Sequence, residues 1–596
     1  MKAEAEYLFE ASWEVCNKVG GIYTVIKSKA KLMKENYPNY FLVGPYFQDK
    51  AMLELKEEDP PEILKEIFNE LGNEGIHCHY GTWQIKGDPK TILIDFQGHL
   101  VHQDFIKGEL WRLHKVDSLK SDSWFTNPVV WAWCVGKLIE KFGQKNGGKK
   151  IVGHFHEWLS GAAILYLKNA KSHVKTVFTT HATMLGRAIA GAGRDLYNEL
   201  KNMNPEKEAY ASGVQDKFLL ERACAKTADV FTTVSEITSM EAEKILGRKA
   251  DILVLNGLDS ELFPTFEEAS LLHQKNREKI REFIRYYFYP HYSFDIEQSL
   301  TFFIVGRYEF KNKGIDIFIK ALQKLNERLK NENSNKTIIV FFWIPRDVFK
   351  VSQPLIDHKI TYREILDFVR ENESRISSQI ADRIMCYNPE SPNIIKEFSS
   401  TIFTKDFLKE AKRLRIKFKC PGVPGLLTHD ISDKEHDPIL QSLYQAGLDN
   451  QEDDKVKVIY YPVYLTPADG LLNLSYYDAL SGCHFGVFPS YYEPWGYTPL
   501  ESAALGVPSL TTDLAGFGRF LMKNAVVQQG IFVLRRMGKP EDEVVDEFFK
   551  ILYQYMQLNR NQRVQQKIAA KQLSTLADWN NFIDYYIEAH NMALKK

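Results

Sequence analysis

The chain has 596 residues, with 76 Lys and Arg against 77 Asp and Glu, a formal charge of −1. Hydrophobic residues make up 44% and charged residues 26%, which excludes a disordered or fibrous chain. Near-neutrality argues against nucleic acid as a partner, although a small phosphate site needs only a few aimed cations.

Residues 1–10 mix charges without a long apolar run, unlike a signal peptide. No run of about 18 apolar residues follows, so no membrane contact is expected, and the expected location is cytoplasmic. Strands are predicted at residues 7–9, 40–43, 91–94, 151–155, 176–180, 230–234 and 252–255, with helical spacing at 24–33, 158–167 and 237–246. Strands alternating with helices imply βαβ units and a parallel sheet. After a charged stretch at 267–285 the pattern restarts, with strands at 300–305, 337–342, 456–461, 485–488 and 531–533 and helices at 315–329, 498–505 and 543–555. The fold class is therefore α/β, with two Rossmann-like, doubly wound lobes around a cleft and ligands at the carboxyl ends of the strands. The expected division is 1–265 for the first lobe, 266–560 for the second and 561–596 for closing helices. Residues 347–436 break the alternation and read as a helical insertion in the second lobe, either an oligomer contact or a solvated decoration. The seven cysteines are scattered without a C-x-x-C pair, which argues against a disulfide framework and a zinc site. Aromatic residues reach 13%; sugar-binding faces use them, and so does a Phe-rich core.

Asn17-Lys-Val-Gly-Gly-Ile22 falls between the first strand and the first helix. Gly20 and Gly21 there let the backbone approach a phosphate, or simply make a tight turn. His154-Phe-His156-Glu157-Trp158 and Thr179-Thr-His181, continuing to Arg187, sit at strand ends. His154 and His156 share a strand face and Glu157 points away, so a metal lacks its third ligand; buried, hydrogen-bonded histidines are the plainer reading. Val305-Gly-Arg-Tyr-Glu-Phe-Lys-Asn-Lys-Gly314 follows a strand and offers Arg307 and Lys313 to phosphate oxygens; the alternative is a solvated basic loop. In Pro489-Ser-Tyr-Tyr-Glu-Pro-Trp-Gly-Tyr-Thr-Pro-Leu-Glu501, Thr498 reads as an N-cap, Pro499 as the first helical residue and Glu501 as its capping-box partner. That explains Glu501 structurally. Glu493 has no such explanation, and its loop position suits ligand hydroxyls. The N–H groups of Gly496, Tyr497 and Thr498 favour an anion nearby.

These blocks together resemble the glycogen synthases of the animal and fungal type, a family of retaining glycosyltransferases. The resemblance covers nearly the whole chain, from Glu10-Ala-Ser-Trp-Glu-Val-Cys-Asn-Lys-Val-Gly-Gly through Asn256-Gly-Leu to Leu576-Ala-Asp-Trp579. The bacterial and plant starch-type synthases carry Lys-Thr-Gly-Gly where this chain has Asn17-Lys-Val-Gly-Gly. The resemblance implies a GT-B fold whose closing helices pack back on the first lobe. It implies transfer of glucose from UDP-glucose to the non-reducing 4-OH end of an α-1,4-glucan, with retention. It also implies no cofactor and no metal, glycogen as partner, a priming protein, and a homotetramer built through the insertion.

The same resemblance assigns residues. Arg307 and Lys313, with the Gly20–Gly21 loop and the N–H groups of Gly496, Tyr497 and Thr498, meet the diphosphate. Glu493 holds the glucose hydroxyls. Lys18 and Arg187 lie near the phosphates, His181 near the glucose, Tyr476 on the uracil and Glu501 at the ribose. His156, Glu157, Asn256 and Tyr492 complete the substrate-binding set, and no protein nucleophile is implied. Family members sense glucose-6-phosphate through an arginine-rich helix. Here Arg560, Arg563 and Lys567 remain, while Asn561, Ala569 and Gln572 stand where arginines are expected. Activation under about twofold is therefore expected, since an effector acts only through its differential affinity. The Ser-rich tails that carry inhibitory phosphates in animal enzymes are missing from the sequence, so control through them is not expected. Two other readings are a glucan-binding protein with decayed catalysis and a transferase with another acceptor. A phosphorylase is disfavoured, because its pyridoxal-phosphate lysine motif is not found.

Overall fold

A computed structural model describes residues 1–386, 403–525 and 528–596. The first lobe is a nine-stranded sheet formed by β1 (Tyr7–Ala11), β2 (Asn39–Pro45), β3 (Leu55–Glu57), β4 (His77–Trp83), β5 (Lys90–Asp95), β6 (Ile151–His156), β7 (Lys175–Thr180), β8 (Val230–Thr233) and β9 (Ile252–Leu253), in the order β3-β4-β5-β2-β1-β6-β7-β8-β9. Pairing is parallel from β5 through to β9, whereas β4 runs antiparallel to both β5 and β3. That antiparallel edge escaped the sequence reading because its strand His77–Trp83, half polar and only partly buried, lacks a continuous apolar run.

The second lobe contains β10 (Ser299–Val305), β11 (Thr337–Trp343), β12 (Val348–Val351), β13 (His429–Ile431), β14 (Val456–Tyr460), β15 (Phe485–Val487), β16 (Ser509–Thr512) and β17 (Ile531–Leu534). Six of these form a parallel sheet in the order β14-β11-β10-β15-β16-β17. Every residue of β11, Thr-Ile-Ile-Val-Phe-Phe-Trp, is buried, as expected where helices cover both faces of a parallel sheet.

Two regions differ from expectation. The charged stretch at 267–285 is no break: it lies within the helix Phe266–Phe288, which begins with a Thr265–Glu268 capping box and buries Ile280, Phe283, Ile284 and Tyr287. Its charges form the outer face and its apolar stripe the inner one. The insertion is not purely helical. Its base is an antiparallel ribbon of β12 and β13, from which the helices Gln353–Met385 and Lys405–Phe418 extend; residues 387–402 of the insertion lie outside the described residues.

The closing helices divide between the lobes. The helix Arg560–Thr575 lies on the helix Tyr497–Ala504 of the second lobe. The helix Trp579–Lys595 packs on the first lobe, burying Trp579, Phe582, Tyr586 and Ile587 in one cluster with Leu8, Val152, Val177 and Val230. Among the described residues no helix is long and apolar enough to cross a membrane.

Candidate active site between the lobes

Loops at the carboxyl ends of β1, β6 and β7 face loops that follow β10 and β15. Between them lies a cavity of about 470 Å³ lined by Arg187 from one side and by Arg307, Glu309, Lys313, Tyr492 and Glu493 from the other. A neighbouring cavity of about 590 Å³ shares Ala190, Gly193, Lys311 and Asn312 with it. The smaller one gathers the charged residues singled out in the sequence.

On the second lobe, Lys313 Nζ donates to Glu493 Oε2 at 2.6 Å. Both side chains are largely covered, 17% and 22% exposed, so the pair is shielded enough to matter. Arg307 is 70% exposed and pairs with Glu309 at 2.9 Å. It therefore stands at the lip of the cavity, apart from the Lys313 pair. Glu493 is fixed through its backbone, whose carbonyl accepts from the Gly516 N–H at 3.1 Å.

The next helix starts two residues before Pro499, its expected first residue. It runs from Tyr497 to Ala504 with Gly496 as the N-cap at φ +111°, and no side chain caps it. Thr498 is thus not the cap, and Glu501 closes no capping box. The left-handed backbone at Gly496 suits glycine and leaves the helix start open. Glu501 instead accepts from the hydroxyls of Tyr476 at 2.9 Å and Tyr477 at 3.1 Å. Burial pushes its pKa up to about 7. Tyr476, Tyr477 and Glu501 thus form a separate wing beside the cavity.

On the first lobe, the Gly20–Gly21 turn already holds a carboxylate. The N–H groups of Gly20 and Tyr23 both donate to Glu14 Oε2 at 2.8 Å, and Glu14 thereby caps the helix Gly21–Asn36. Lys18 is exposed beside it. Glu157 adopts φ +64° at the end of β6, which turns its carboxylate back to accept from the N–H groups of His181 and Ala182 at 2.8 and 3.1 Å. Burial raises its pKa to about 7, against the pull of Arg187. Arg187 is walled by protein yet open to the cleft. Burial opposes its charge, and Glu157, Tyr492, Glu309 and Glu221 reverse that, leaving its pKa above the usual value.

Tyr492 crosses between the lobes, its hydroxyl donating to Glu241 Oε1 at 2.9 Å. Tyr491 does the same to Asp195 at 2.7 Å, and Tyr497 to the Gly257 carbonyl at 3.2 Å. Asn256 is buried and its Oδ1 has no partner. His156, 1% exposed, is bonded at both ring nitrogens, to Glu10 and to His181, whereas His181 keeps 7% exposure and is bonded through Nε2.

Glu10, His154 and His156 together have the donor set for a metal. Their arrangement is that of a self-satisfied cluster, however: the Lys29 ammonium pairs with Glu10, and both imidazoles are bonded at each nitrogen.

The sequence reading missed Glu14, Glu221 and Glu241. Only Glu221 carried a local signal, as a carboxylate at the end of the apolar run Phe218-Leu-Leu. That reading named Arg563 and Lys567 but missed Arg277 of the helix Phe266–Phe288, which lies near both, beside His273 and His484, whose rings lie 5.4 Å apart. Arg277 Nε is buried without a partner. Burial first, then Arg277 and Arg563, push Lys567 down to about 7. Arg560 is exposed on the same helix.

Comparison with known proteins matches residues 10–596 to the family model described as Glycogen synthase. The chain is 35% identical to the liver glycogen [starch] synthase of Homo sapiens over 600 residues, covering 100% of this chain and 84% of that protein. It is 36% identical to the glycogen [starch] synthase of Neurospora crassa over 595 residues (99% and 84%), and 36% identical to isoform 2 of Saccharomyces cerevisiae over 607 residues (99% and 86%). Among solved structures it is similar to a UDP-forming α,α-trehalose-phosphate synthase from Burkholderia xenovorans, with a TM-score of 0.50 at 9% identity over 98% of this chain and 99% of that one. That likeness bears on the fold alone, the two-lobed GT-B architecture. With a family match over nearly its full length and relatives above one-third identity, the chain belongs to the glycogen synthase family of glycosyltransferases.

Proposed function

We propose that the cleft transfers glucose from UDP-glucose to the non-reducing 4-OH end of an α-1,4-glucan, with retention of configuration. The observation that carries this reading is the covered Lys313–Glu493 pair facing Arg187 across the cavity. Cleaving the glucose–phosphate bond puts negative charge on the leaving diphosphate and positive charge on the anomeric carbon. Lys313 exchanges Glu493 for the diphosphate, joined by Arg187, Lys18 and Arg307. Glu493, released, takes the hexose hydroxyls and faces the cationic sugar. Charge held in advance for the transition state is usually the largest catalytic term. Tyr476 and Glu501 hold the base and ribose, and the uncapped N–H groups at Gly496 to Thr498 add an anion site. Protein cations supply the charge, so the reaction needs no metal.

Glycogen is the partner, extended from a primer made by a separate protein in the cytoplasm. The helices Gln353–Met385 and Lys405–Phe418 expose Ile384, Met385, Leu408 and Ile416, an apolar surface that suits assembly of a homotetramer. The test is incubation with UDP-glucose and glycogen, reading UDP release and the anomeric proton of the new linkage. UDP release with α-1,4 product supports the reading; no UDP release, or a β linkage, overturns it.

A further inference from the structure

Behind the cleft, two lines of hydrogen bonds run through buried imidazoles, and each has a direction. In the first, Thr232 Oγ1 donates to the Phe178 carbonyl at 3.2 Å, so its lone pair accepts from Thr179 at 2.6 Å. Thr179 then accepts from His154 Nε2 at 2.7 Å, His154 Nδ1 from His590 Nε2 at 3.0 Å, and His590 Nδ1 from the Tyr37 hydroxyl at 2.6 Å. Every member is satisfied with one proton per ring.

The second line leads to the cleft. Glu10 is fully buried and receives the Lys29 ammonium and the Tyr40 hydroxyl. It is therefore an ionised, acceptor-only group. His156 Nε2 lies 2.7 Å from Glu10 Oε1 and must donate to it. The His156 ring carries one proton, so its Nδ1 is a bare lone pair. His181 Nε2 lies 3.0 Å from that nitrogen and must supply the proton between them. Burial keeps both rings neutral. His181 Nδ1 is then the remaining lone pair, and among the described residues nothing bonds to it. Its backbone is pinned as well, through its N–H to Glu157, and the ring keeps 7% exposure.

We infer that Glu10 and His156 are positioning residues that fix His181 in its Nε2–H form, presenting Nδ1 as a hydrogen-bond acceptor to a hydroxyl of the donor hexose. The hexose contact rests on the donor reading above; the tautomer does not. Which imidazole nitrogen carries the proton is set by what the other one meets, and a wrong tautomer disables a site whose geometry is otherwise intact.

The first test is nitrogen NMR of the full chain labelled with ¹⁵N-histidine, with His181→Asn identifying the His181 signals. The expected result is Nε2 protonated and Nδ1 bare in His181; a protonated Nδ1 overturns the inference. Kinetics supply the second arm. His156→Ala should lower kcat at least about tenfold. His156→Gln should recover most of it, because its amide can donate to Glu10 while its carbonyl accepts from His181. Equal losses in the two variants overturn the positioning role, and if His156→Ala fails to fold, the Gln variant and the NMR result decide. The third arm uses UDP-glucose analogues fluorinated singly at C3, C4 or C6, since fluorine accepts but cannot donate. One position should lose at least about tenfold in kcat/KM with the parent chain and far less with His181→Ala. No such position, with the tautomer as expected, overturns the hexose contact. Absence of any turnover of UDP-glucose by the parent chain is instead a failure of the donor reading, and it leaves the NMR result standing.

Discussion

Lys313 Nζ lies 2.6 Å from Glu493 Oε2, joining the loop after β10 to the loop after β15 at the cavity between the lobes. Each group neutralises the other, and the proposed chemistry has a diphosphate draw Lys313 away. Glu493→Ala should therefore lower kcat by at least about 100-fold while UDP binds as well as before or more tightly, because Lys313 is released. Titration calorimetry with UDP beside initial rates checks this. Turnover within about tenfold of the parent, under roughly 1.4 kcal/mol, contradicts it.

Lys313→Ala should lower kcat more than it raises KM for UDP-glucose, since leaving-group charge grows toward the transition state. Arg307→Ala should act the same way but more weakly. Arg307 is 70% exposed and must leave Glu309 to reach the donor. Steady-state rates at saturating donor separate the two effects. EDTA should leave the parent rate unchanged, and a loss restored by a divalent ion contradicts metal-free transfer.

Buried carboxylates set the pH dependence of stability. Burial raises Glu157, Glu241 and Glu501 from 4.5 to about 7. Between those values the folded chain holds protons that the unfolded chain has lost. Their contribution is fully present below about 4.5 and is lost as pH rises through about 7. Melting temperature should fall from pH 6 to pH 8. Glu241→Gln, which can still accept from Thr183 and Tyr492, should flatten that slope by up to about 1.4 kcal/mol per pH unit. A Tm that rises over this range contradicts the assignment.

The expectation of weak activation by glucose-6-phosphate came from counting arginines along one helix. Asn561 and Gln572 prove to be exposed, whereas Arg563 and Lys567 turn inward to meet Arg277. These cations repel one another, and a phosphate relieves that. Glucose-6-phosphate is now expected to activate more than about twofold, with each charge-assisted contact adding about 1.5–3 kcal/mol to binding. Binding near pH 7.5 should also take up a proton as Lys567 rises from about 7. Calorimetry in buffers of different ionisation heat reads that proton, and Lys567→Met should abolish it. No binding, or binding without proton uptake, contradicts the cluster's role.

The lobes were legible in the sequence because parallel strands buried on both faces read as unbroken apolar runs, as in Thr337–Trp343. The antiparallel strands β3 and β4 and the ribbon of β12 and β13 were not, since short or half-exposed strands lack that signature. Glu493 and Lys313 could be singled out because they follow strands in loops, and Arg187 because its helix, Met184–Gly191, opens soon after β7. Glu501 was misread through a helix start displaced by two residues, a typical boundary error. Glu14, Glu241 and the Arg277 contribution depend on contacts between distant segments, which spacing along the chain does not encode.

The most direct test is a crystal structure of the chain with UDP and a maltooligosaccharide. The expected result is UDP in the cavity between the lobes, its base on Tyr476, Lys313 moved from Glu493 to the diphosphate, and the glucan end facing Glu493. UDP bound elsewhere, or bound there with the Lys313–Glu493 pair intact, contradicts the proposed chemistry.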